Sequence, residues 1–409
     1  MTNDRRRSVI ITFKRKDERP DRDRDKTHIV AEAVDTAIDF VDAATFAAGQ
    51  VPLRPGTRRE TVAYDVNQYD APIVAASLTE SEIDALRANG NVADVEDDGE
   101  VYALPSAQEA QLVVEGGPAP QAETIPTGLP QIKAPLAWDC SRGKGISVAV
   151  LDTGIDGGHP DLAPNYRGGV SFVPGETTPA DGNGHGTHCA GTIAAALNGS
   201  GVVGVAPAAS LYAVKVLGAS GSGSWSGFIA GLDWCIDNGI RIASMSLGAP
   251  SAPTAVEAMC NSAFAQGVLL IAAAGNNGPA EGTVTAPGHY DSVVAVSALT
   301  NSNQLAEFSS WGPEVELCAP GVNVLSTLPG GSFGRLSGTS MACPHVSGAA
   351  AVAWGGHRYS DNVTIRRLLA WTSDNLGPTG RDPRFGFGRV DAAQAACTMR
   401  TPPAIPGIP

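Results

Sequence analysis

The stretch SGTSMACPHVSG, at residues 337–348, decides the fold more than any other part of the chain. A turn of small residues leads into an apolar, Ala-rich run that continues to Gly355, which predicts a helix beginning near Ser340. A serine in that place exposes its Oγ, and its backbone N–H points out of a helix N-terminus, where a developing oxyanion is stabilised. Because serine before an apolar run is more often only an N-cap, the role of Ser340 depends on the motifs upstream.

Two upstream motifs contain the partners that a nucleophilic serine needs. VAVLDTGID, at residues 148–156, is a β-branched run that ends in Asp152, so the carboxylate lies at the carboxyl end of a strand, where α/β active sites form. DGNGHGTHCAGTIAA, at residues 181–195, places His185 between glycines ahead of a helical pattern. A nucleophilic serine needs a base that takes its proton, and the base needs a carboxylate that holds its tautomer.

A fourth motif supplies a hydrogen-bond donor. VLLIAAAGNNG, at residues 268–278, predicts a buried strand that ends at Gly275 and Asn276. An amide at this place can donate to a tetrahedral oxyanion together with the Ser340 N–H, an effect of about 3–4 kcal/mol on kcat. In isolation Asn276 would be interpreted as a turn residue, but beside the other three motifs the oxyanion interpretation is favoured.

With these four motifs in this order, the chain closely resembles the subtilisin-like serine proteases (subtilases), from about residue 125 to about residue 396. The order of aspartate, histidine and serine is that of subtilisin and differs from the orders in chymotrypsin and the α/β-hydrolases. The resemblance implies a serine endopeptidase with an acyl-enzyme mechanism. The implied roles are nucleophile for Ser340, general base and then acid for His185, orienting carboxylate for Asp152, and oxyanion donors for Asn276, the Ser340 N–H and Thr339.

The fold class predicted for this region is α/β, with a subtilisin-like parallel sheet covered by helices on both faces. Short apolar strands alternate with helical patterns, as such a sheet requires. The predicted strands are 146–151, 210–216, 241–246, 268–273 and 292–297, and the predicted helices are 185–196, 225–238, 255–266 and 340–355.

The chain divides into four segments by composition. Residues 1–104 contain a β-α-β pattern whose helix has Thr79 as N-cap and Glu82 at capping-box spacing. This pattern fits a generic α+β module, and it also resembles the ferredoxin-like subtilase propeptide, which acts as folding template and inhibitor. The remaining segments are a Pro, Gly, Ala and Gln-rich linker with the processing region at 105–121, a catalytic domain at 122–400 and a Pro-rich tail at 401–409.

Substrate contacts follow from the resemblance. Subtilases bind a peptide as an extra strand between two edge segments, so main-chain hydrogen bonds accept many sequences and pockets choose among them. Apolar side chains are therefore the expected preference, although Thr285 stands at the base of the first pocket where subtilisins commonly have glycine. The residues that match the two edge segments are Ser222, Gly223, Ser246, Leu247 and Gly248. The residues that match the fourth pocket are Trp225, Phe228 and Leu247, and the first pocket includes Gly275. The pocket residues equally fit core positions.

A structural Ca²⁺ site is also implied by the resemblance. Oxygen ligands suit Ca²⁺, which takes six to eight of them. The alternative is an Asn-Gly turn that holds no ion. The implied ligands are the side chains of Asp161, Asn198 and Glu123, the last where the family has Gln, and the carbonyls of Ser200 and Val202.

Composition excludes several function classes. The 28 basic and 42 acidic residues give a net charge of −14, which argues against a nucleic-acid partner, and no apolar run is long enough for a membrane span. We expect a monomer that acts on polypeptides. The first residues show no apolar region with a small-residue cleavage site, so no ordinary secretion signal is predicted and the compartment stays open. Seven cysteines leave at least one free thiol, with the pairing undetermined, and Cys189 and Cys343 are expected to be buried and inert.

The leading hypothesis is a broad-specificity, calcium-stabilised serine endopeptidase made as a zymogen. The alternatives are a subtilase-type transpeptidase or macrocyclase, and a binding module held permanently by its propeptide. By resemblance the propeptide ends at Leu104, with Val101 in the fourth pocket. Because Pro105 follows and a proline after the scissile bond hinders acyl transfer, we predict the first stable N-terminus within residues 105–122 rather than at Pro105.

Overall fold

The chain begins with a small α+β unit. The computed structural model describes residues 6–15, 17–20, 25–34, 39–42, 62–67, 72–104 and 122–408, so the predicted linker lies outside the described residues. The elements of the first unit are β1 (Arg7–Phe13), α1 (Lys26–Ala33), β2 (Asp39–Asp42), β3 (Val62–Asn67), β4 (Ile73–Leu78), α2 (Glu80–Arg87), β5 (Val92–Asp97) and β6 (Glu100–Ala103).

Five of these strands form a mixed sheet in the order β2-β3-β4-β1-β5. Alternate residues of its strands face opposite sides, and Val9, Ile11 and Val74 pack in one buried cluster with apolar residues of α1 and α2. The predicted capping box is confirmed, because Thr79 Oγ1 accepts from the Glu82 N–H and the Glu82 carboxylate accepts from the Thr79 N–H.

The second unit contains eleven further strands and eight helices among the described residues. In chain order they are α3 (Gly128–Gln131), α4 (Ala134–Ala137), β7 (Ser147–Asp152), β8 (Tyr166–Ser171), α5 (His185–Ala194), β9 (Ser210–Lys215), β10 (Ser222–Ser224), α6 (Trp225–Asp237), β11 (Ile242–Met245), β12 (Leu247–Gly248), α7 (Thr254–Ala265), β13 (Leu269–Ala273), β14 (Val293–Leu299), β15 (Val315–Pro320), β16 (Val324–Leu328), β17 (Ser332–Leu336), α8 (Thr339–Gly356), α9 (Asn362–Thr372) and α10 (Ala392–Cys397).

Seven strands form one parallel sheet, in the order β15-β14-β13-β11-β7-β9-β8. Its two faces belong to two separate cores, as the alternation along β7 shows: Val148 and Val150 pack in the core that contains α5 and α8, whereas Ala149 and Leu151 pack in the core that contains α6 and α7. The predicted α/β architecture with helices on both faces is therefore confirmed.

The helix predicted from the opening motif is the centre of one core. Every residue of α8 from Thr339 to Trp354 is buried, and the helix contacts β11, β13, β14 and β15 together with α5. Its many Ala, Gly and Ser residues allow this close approach, because a larger side chain at such places would clash with neighbouring residues. A Cβ at Gly348, for example, would lie 2.5 Å from Cβ of Val205.

The first unit packs against the second through the free face of its sheet. Ile10, Ile73 and Ala75 point away from α1 and α2, and they belong to the same buried cluster as the apolar residues of α6 and α7. Beyond β5 the chain enters the second unit, where β6 becomes the middle strand between β10 and β12.

The elements predicted from sequence agree with the structure to within two residues at each end. In the second unit, two strands of the parallel sheet, β8 and β15, a hairpin of β16 and β17, and four helices, α3, α4, α9 and α10, were not predicted. In the case of β8 the reason is physical, because its sequence YRGGVS contains two glycines and only partly buried side chains before Ser171, so it lacks an apolar run. None of the helices in the described part of the chain is long and apolar enough to span a membrane.

One disulfide, Cys140–Cys397, joins the segment after α4 to the end of α10, and the other five cysteines are buried thiols. It closes a loop with a sequence separation of 257 residues. Cross-linking positions so far apart removes much conformational freedom from the unfolded chain.

We therefore predict that Cys140→Ser with Cys397→Ser, in a Ser340→Ala background that lacks the predicted nucleophile, lowers the free energy of unfolding by about 4 kcal/mol. Urea unfolding followed by circular dichroism measures the change. Reductant should lower the midpoint of the Ser340→Ala protein and leave the triple variant unaffected. Equal midpoints for the two oxidised proteins would contradict a stabilising role.

Candidate active site

The predicted acid and base are in contact at the carboxyl end of the sheet. Asp152 ends β7 and is fully buried, and His185 Nδ1 lies 2.8 Å from Asp152 Oδ1 and 3.0 Å from Oδ2. His185 is the first residue of α5, and the next residue must be glycine, since a Cβ at Gly186 would lie 2.2 Å from the carbonyl oxygen of Gly154. Gly186 thus permits the close approach of α5 to the end of β7.

The electrostatics of this pair favour a basic imidazole. Burial alone would lower the pKa of His185, but the charge of Asp152 and its hydrogen bond to Nδ1, with a smaller effect of the Asp181 charge, outweigh burial and raise that pKa above 6.5. The hydrogen bond from Nδ1 leaves Nε2 as the nitrogen that can accept a proton.

Ser340 lies in the first turn of α8 beside an occupied cleft. Its Oγ lies 3.2 Å from the carbonyl oxygen of Leu104 and 3.1 Å from that of Ser246. Within the described part of the chain, His185 Nε2 has no hydrogen-bond partner. The hydrogen bond between Ser340 and His185 is therefore not formed while Leu104 occupies the site. Catalytic hydrogen bonds of this kind commonly tighten only with a reacting substrate.

The carbonyl oxygen of Leu104 also marks the oxyanion position. Asn276 Nδ2 donates to it over 3.2 Å. The amide is held in this orientation from behind, because Asn276 Oδ1 accepts from both the N–H and the Oγ1 of Thr339 at 2.9 Å. The implied role of Thr339 as an oxyanion donor needs correction, since its hydroxyl hydrogen is engaged by Asn276 and the residue orients the donor instead.

The two predicted edge segments hold β6 between them as a third strand. On one side Ser222 pairs with Tyr102 and Gly223 with Val101, and on the other Leu247 pairs with Ala103 and Gly248 with Tyr102, all antiparallel. Ser246 accepts from the Leu104 N–H at 3.5 Å. This is the arrangement expected for a peptide bound by strand addition.

Val101 fills the fourth pocket. Its side chain is fully buried in one cluster with Trp225, Phe228 and Leu247. The rings of Trp225 and Phe228 meet edge to face, with centroids 5.4 Å apart. Phe228 is a buried core residue, and it packs in the same cluster as Val101. Two glycines lie against Thr285 at the predicted first pocket. An added Cβ would lie 3.1 Å from Thr285 Oγ1 at Gly275 and 2.8 Å from it at Gly248.

The predicted metal ligands converge on one loop. Asp161 is buried, and its carboxylate accepts from Asn198 Nδ2 at 3.0 Å and from the Val202 N–H at 2.8 Å. Glu123 Oε2 accepts from the N–H groups of the loop, while its buried Oε1 has no hydrogen-bond partner among the described residues. An unsatisfied carboxylate oxygen beside a buried aspartate and loop carbonyls fits a hard cation such as Ca²⁺.

The first unit also caps two helices of the second, which the sequence patterns did not reveal. The Asp98 carboxylate accepts from the N–H and Oγ of Ser226 at the start of α6, and the Glu96 carboxylate accepts from the N–H and Oγ1 of Thr254 at the start of α7. Burial raises the pKa of Asp98, although its hydrogen bonds to Ser226 oppose the shift. Carboxylates in these places satisfy free N–H groups and complement the helix dipoles.

Three polar residues around Asp152 were also missed. Asp181 opens the histidine motif, Thr153 directly follows Asp152, and Lys215 ends an apolar strand with its side chain fully buried. A charged residue at the end of an apolar strand was the available signal for Lys215. The two cysteines of the active-site helices behave as predicted: burial raises the pKa of Cys343 to about 11 and that of Cys189 well above 9.0, so both are protonated at neutral pH.

Comparison with known proteins agrees with this geometry. The sequence profile of the subtilase family matches residues 143–388, more than half of the chain. The chain is 45% identical over 325 residues to an alkaline protease of Shouchella clausii, covering 79% of each protein. It is 46% identical over 326 residues to subtilisin E of Bacillus subtilis, covering 79% of this chain and 80% of the relative. It is 50% identical over 275 residues to subtilisin Savinase of Lederbergia lenta, covering 67% of this chain and 99% of the relative.

The geometry around Leu104 predicts the effect of removing the oxyanion donor. Asn276→Ala should lower kcat by about 10²- to 10³-fold, the loss known for one oxyanion donor in a subtilisin, and leave KM little changed because the bond strengthens in the transition state. Steady-state hydrolysis of a peptide anilide by the processed enzyme measures both constants. Asn277→Ala is the matched control, and an equal loss in both variants would contradict the assignment.

Proposed function

Because the chain belongs to the subtilase family and is a serine endopeptidase, we propose that residues 1–104 are the inhibitory propeptide of a zymogen. The observation that carries the proposal is the position of the Leu104 carbonyl, which lies within hydrogen-bonding distance of Ser340 Oγ and of Asn276 Nδ2. The segment before it lies between the two edge strands, so a substrate that binds in the same way competes with it directly.

The reaction that we propose proceeds through an acyl-enzyme. His185 Nε2 takes the proton of Ser340 Oγ as this oxygen attacks the peptide carbonyl carbon, and Asp152 stabilises the imidazolium that forms. The oxyanion accepts hydrogen bonds from Asn276 Nδ2 and from the Ser340 N–H. His185 then gives its proton to the leaving amine, and water attacks the ester with His185 again as base.

A preference for apolar side chains belongs to the same proposal. Val101 and Leu104 are the residues of the inhibitory segment whose side chains are buried, whereas Tyr102 between them is exposed. This burial pattern supports pockets for the fourth and first residues before the cleaved bond and an open position between them. The threonine at position 285, near Gly248 and Gly275, favours a first pocket of limited depth.

We further propose a structural Ca²⁺ ion on the loop that follows α5. Asp161, Asn198 and Glu123 would hold it with side-chain oxygens, and Ser200 and Val202 with carbonyls, and the ion would tie the start of the catalytic domain to the loop. The unsatisfied Glu123 Oε1 supports this proposal. So does Gly201, where a Cβ would lie 2.1 Å from Asp161 Oδ2, so that only glycine leaves the carboxylate room in the loop.

Self-processing tests the zymogen. Ser340→Ala should accumulate as one full-length species without peptidase activity, because triad members act as a unit worth about 10⁶ in kcat. In the active protein we expect the first stable N-terminus within residues 105–122. Pro105→Ala should move that first cut to the bond after Leu104, since the bond is presented at the nucleophile and the proline ring no longer hinders acyl transfer.

Mass spectrometry of the purified proteins over time measures how much full-length protein remains and where the first cut falls. Self-processing of Ser340→Ala at the wild-type rate would refute the nucleophile, and a mature start before Tyr102 or after Ile125 would refute the domain division. A stable, uncut wild-type protein without activity would instead indicate a permanently inhibited binding module. Cyclic or ligated products from peptides with a free amine would indicate the transpeptidase alternative.

The ion is tested on the uncleaved Ser340→Ala protein, in which Leu104 and Glu123 are both in place. Removal of Ca²⁺ by chelation should lower Tm, since a ligand bound only by the native state contributes about 2.7 kcal/mol at a hundredfold excess over its Kd. Asp161→Ala should reproduce most of that loss and no longer respond to chelator, whereas the exposed-site control Asp139→Ala should respond fully. Calorimetric titration with Ca²⁺ gives the affinity, and identical Tm values with and without Ca²⁺ would refute the site.

A further inference from the structure

The first turn of α5, which carries His185, lacks an ordinary cap. Its N-cap residue is Gly184, which has a φ of 109° and no side chain. The first three N–H groups of the helix are nevertheless satisfied, each by a different side chain: His185 N–H donates to Asn183 Oδ1, Gly186 N–H to Thr153 Oγ1 and Thr187 N–H to Asp181 Oδ2. The orientation of the catalytic histidine therefore depends on residues outside its own helix.

Thr153 connects this helix to the catalytic aspartate with both its backbone and its side chain. Its N–H donates to Asp152 Oδ1 at 2.7 Å, and its Oγ1 accepts from the Gly186 N–H at 2.9 Å. The same hydroxyl donates to Asp181 Oδ1 at 2.9 Å. Its carbonyl oxygen accepts from the buried ammonium of Lys215, which fixes the peptide after Asp152 from the other side.

Asp181 is the acceptor that completes this arrangement. Its Oδ1 accepts from Thr153 Oγ1 and from the N–H groups of Asn183 and Gly184, all at 2.9 Å. Its Oδ2 accepts from the N–H and Oγ1 of Thr187 at 2.9 and 2.6 Å. Five donors on one carboxylate hold it in a single orientation.

We propose that Thr153 and Asp181 are positioning residues, which together fix the angle and distance at which His185 meets Asp152. The hydroxyl of Thr153 is the bridge between the loop after β7 and the start of α5, and Asp181 holds that hydroxyl and the helix start in one orientation. This inference rests on the proposed function, in which His185 is the base and Asp152 is the carboxylate that stabilises it. Small errors in such a geometry cost rate rather than substrate affinity, because the peptide binds elsewhere on the edge strands.

The hydroxyl is tested by two substitutions, one that keeps the shape of the threonine side chain and one that keeps its hydroxyl. Thr153→Val removes both hydroxyl bonds and keeps the branched shape, so kcat per active site should fall at least tenfold with KM changed less than twofold. Thr153→Ser keeps the hydroxyl and should restore kcat to within about threefold of the parent enzyme. Active sites are counted by titration with a fluorophosphonate, so that a loss of folded protein is not read as a loss of rate. Equal kcat values for valine, serine and parent enzymes would overturn the proposal, and so would equal losses in the two variants.

The pH profile separates positioning from general stability. Since the charge of Asp181 helps to raise the pKa of His185, Asp181→Asn should move the acid limb of kcat/KM to lower pH while also lowering kcat. Asp156→Asn is the matched control: its carboxylate accepts from the N–H groups of Gly158 and Gly330, and the acid limb should stay in place. The other titratable groups near His185, on its own helix and on the elements packed against it, are Asp152, His188, Cys189, Lys215, Cys343 and His345.

The double variant Thr153→Val with Asp181→Asn completes the test. Because the two residues share one hydrogen bond, its loss in kcat should be smaller than the product of the two single losses. Strict multiplication of the losses, or an acid limb of Asp181→Asn identical to that of Asp156→Asn, would overturn the proposal. Failure of the proposed function is distinguishable, since it would appear as full activity in Ser340→Ala whatever these variants do.

Discussion

The carboxylate of Asp152 is fully buried, and the catalytic centre is organised by the need to satisfy it. A buried charge without partners costs several kcal/mol, so the hydrogen bonds from His185 and Thr153 are requirements of folding as well as of catalysis. The backbone carbonyl of Asp152 is fixed too, because it accepts from the N–H groups of Val216 and Leu217. The orientation of the histidine therefore derives from a parallel sheet that two cores hold rigid.

The same requirement explains how the first unit fits on the second. Helices α6 and α7 present free N–H groups at their starts, and Asp98 and Glu96 satisfy them. Between these caps and the nucleophile, β6 satisfies the exposed edges of β10 and β12. The polar contacts of the N-terminal unit named here thus satisfy groups that would otherwise face water, while Ile10 and Ile73 bury apolar surface on the helices.

The sequence predicted those features that depend on short stretches of chain. Asp152, His185, Ser340 and Asn276 each stand where an apolar or small-residue run meets a turn, so their places at strand and helix ends could be predicted. Other features depend on approaches between distant segments, which no local pattern encodes. The pairing of Cys140 with Cys397, the hydrogen bonds that make Thr339 a support for the oxyanion donor, and the short strand β8 with its two glycines belong to this second class.

If the proposed processing takes place within residues 105–121, the described contacts on both sides of that region stay in place. On one side Leu104 stays hydrogen-bonded to Asn276, and on the other Thr124 donates to Gly201 and accepts from Val203 at 2.9 and 3.2 Å. Since both sets of contacts lie outside residues 105–121, the proposed cut keeps them and removes the covalent connection, whose contribution is an effective concentration. The zymogen proposal therefore separates hydrolysis from activation: the proposed active site opens only when the propeptide dissociates or is digested, and the buried interface of Ile10, Val101 and the two helix caps opposes its release.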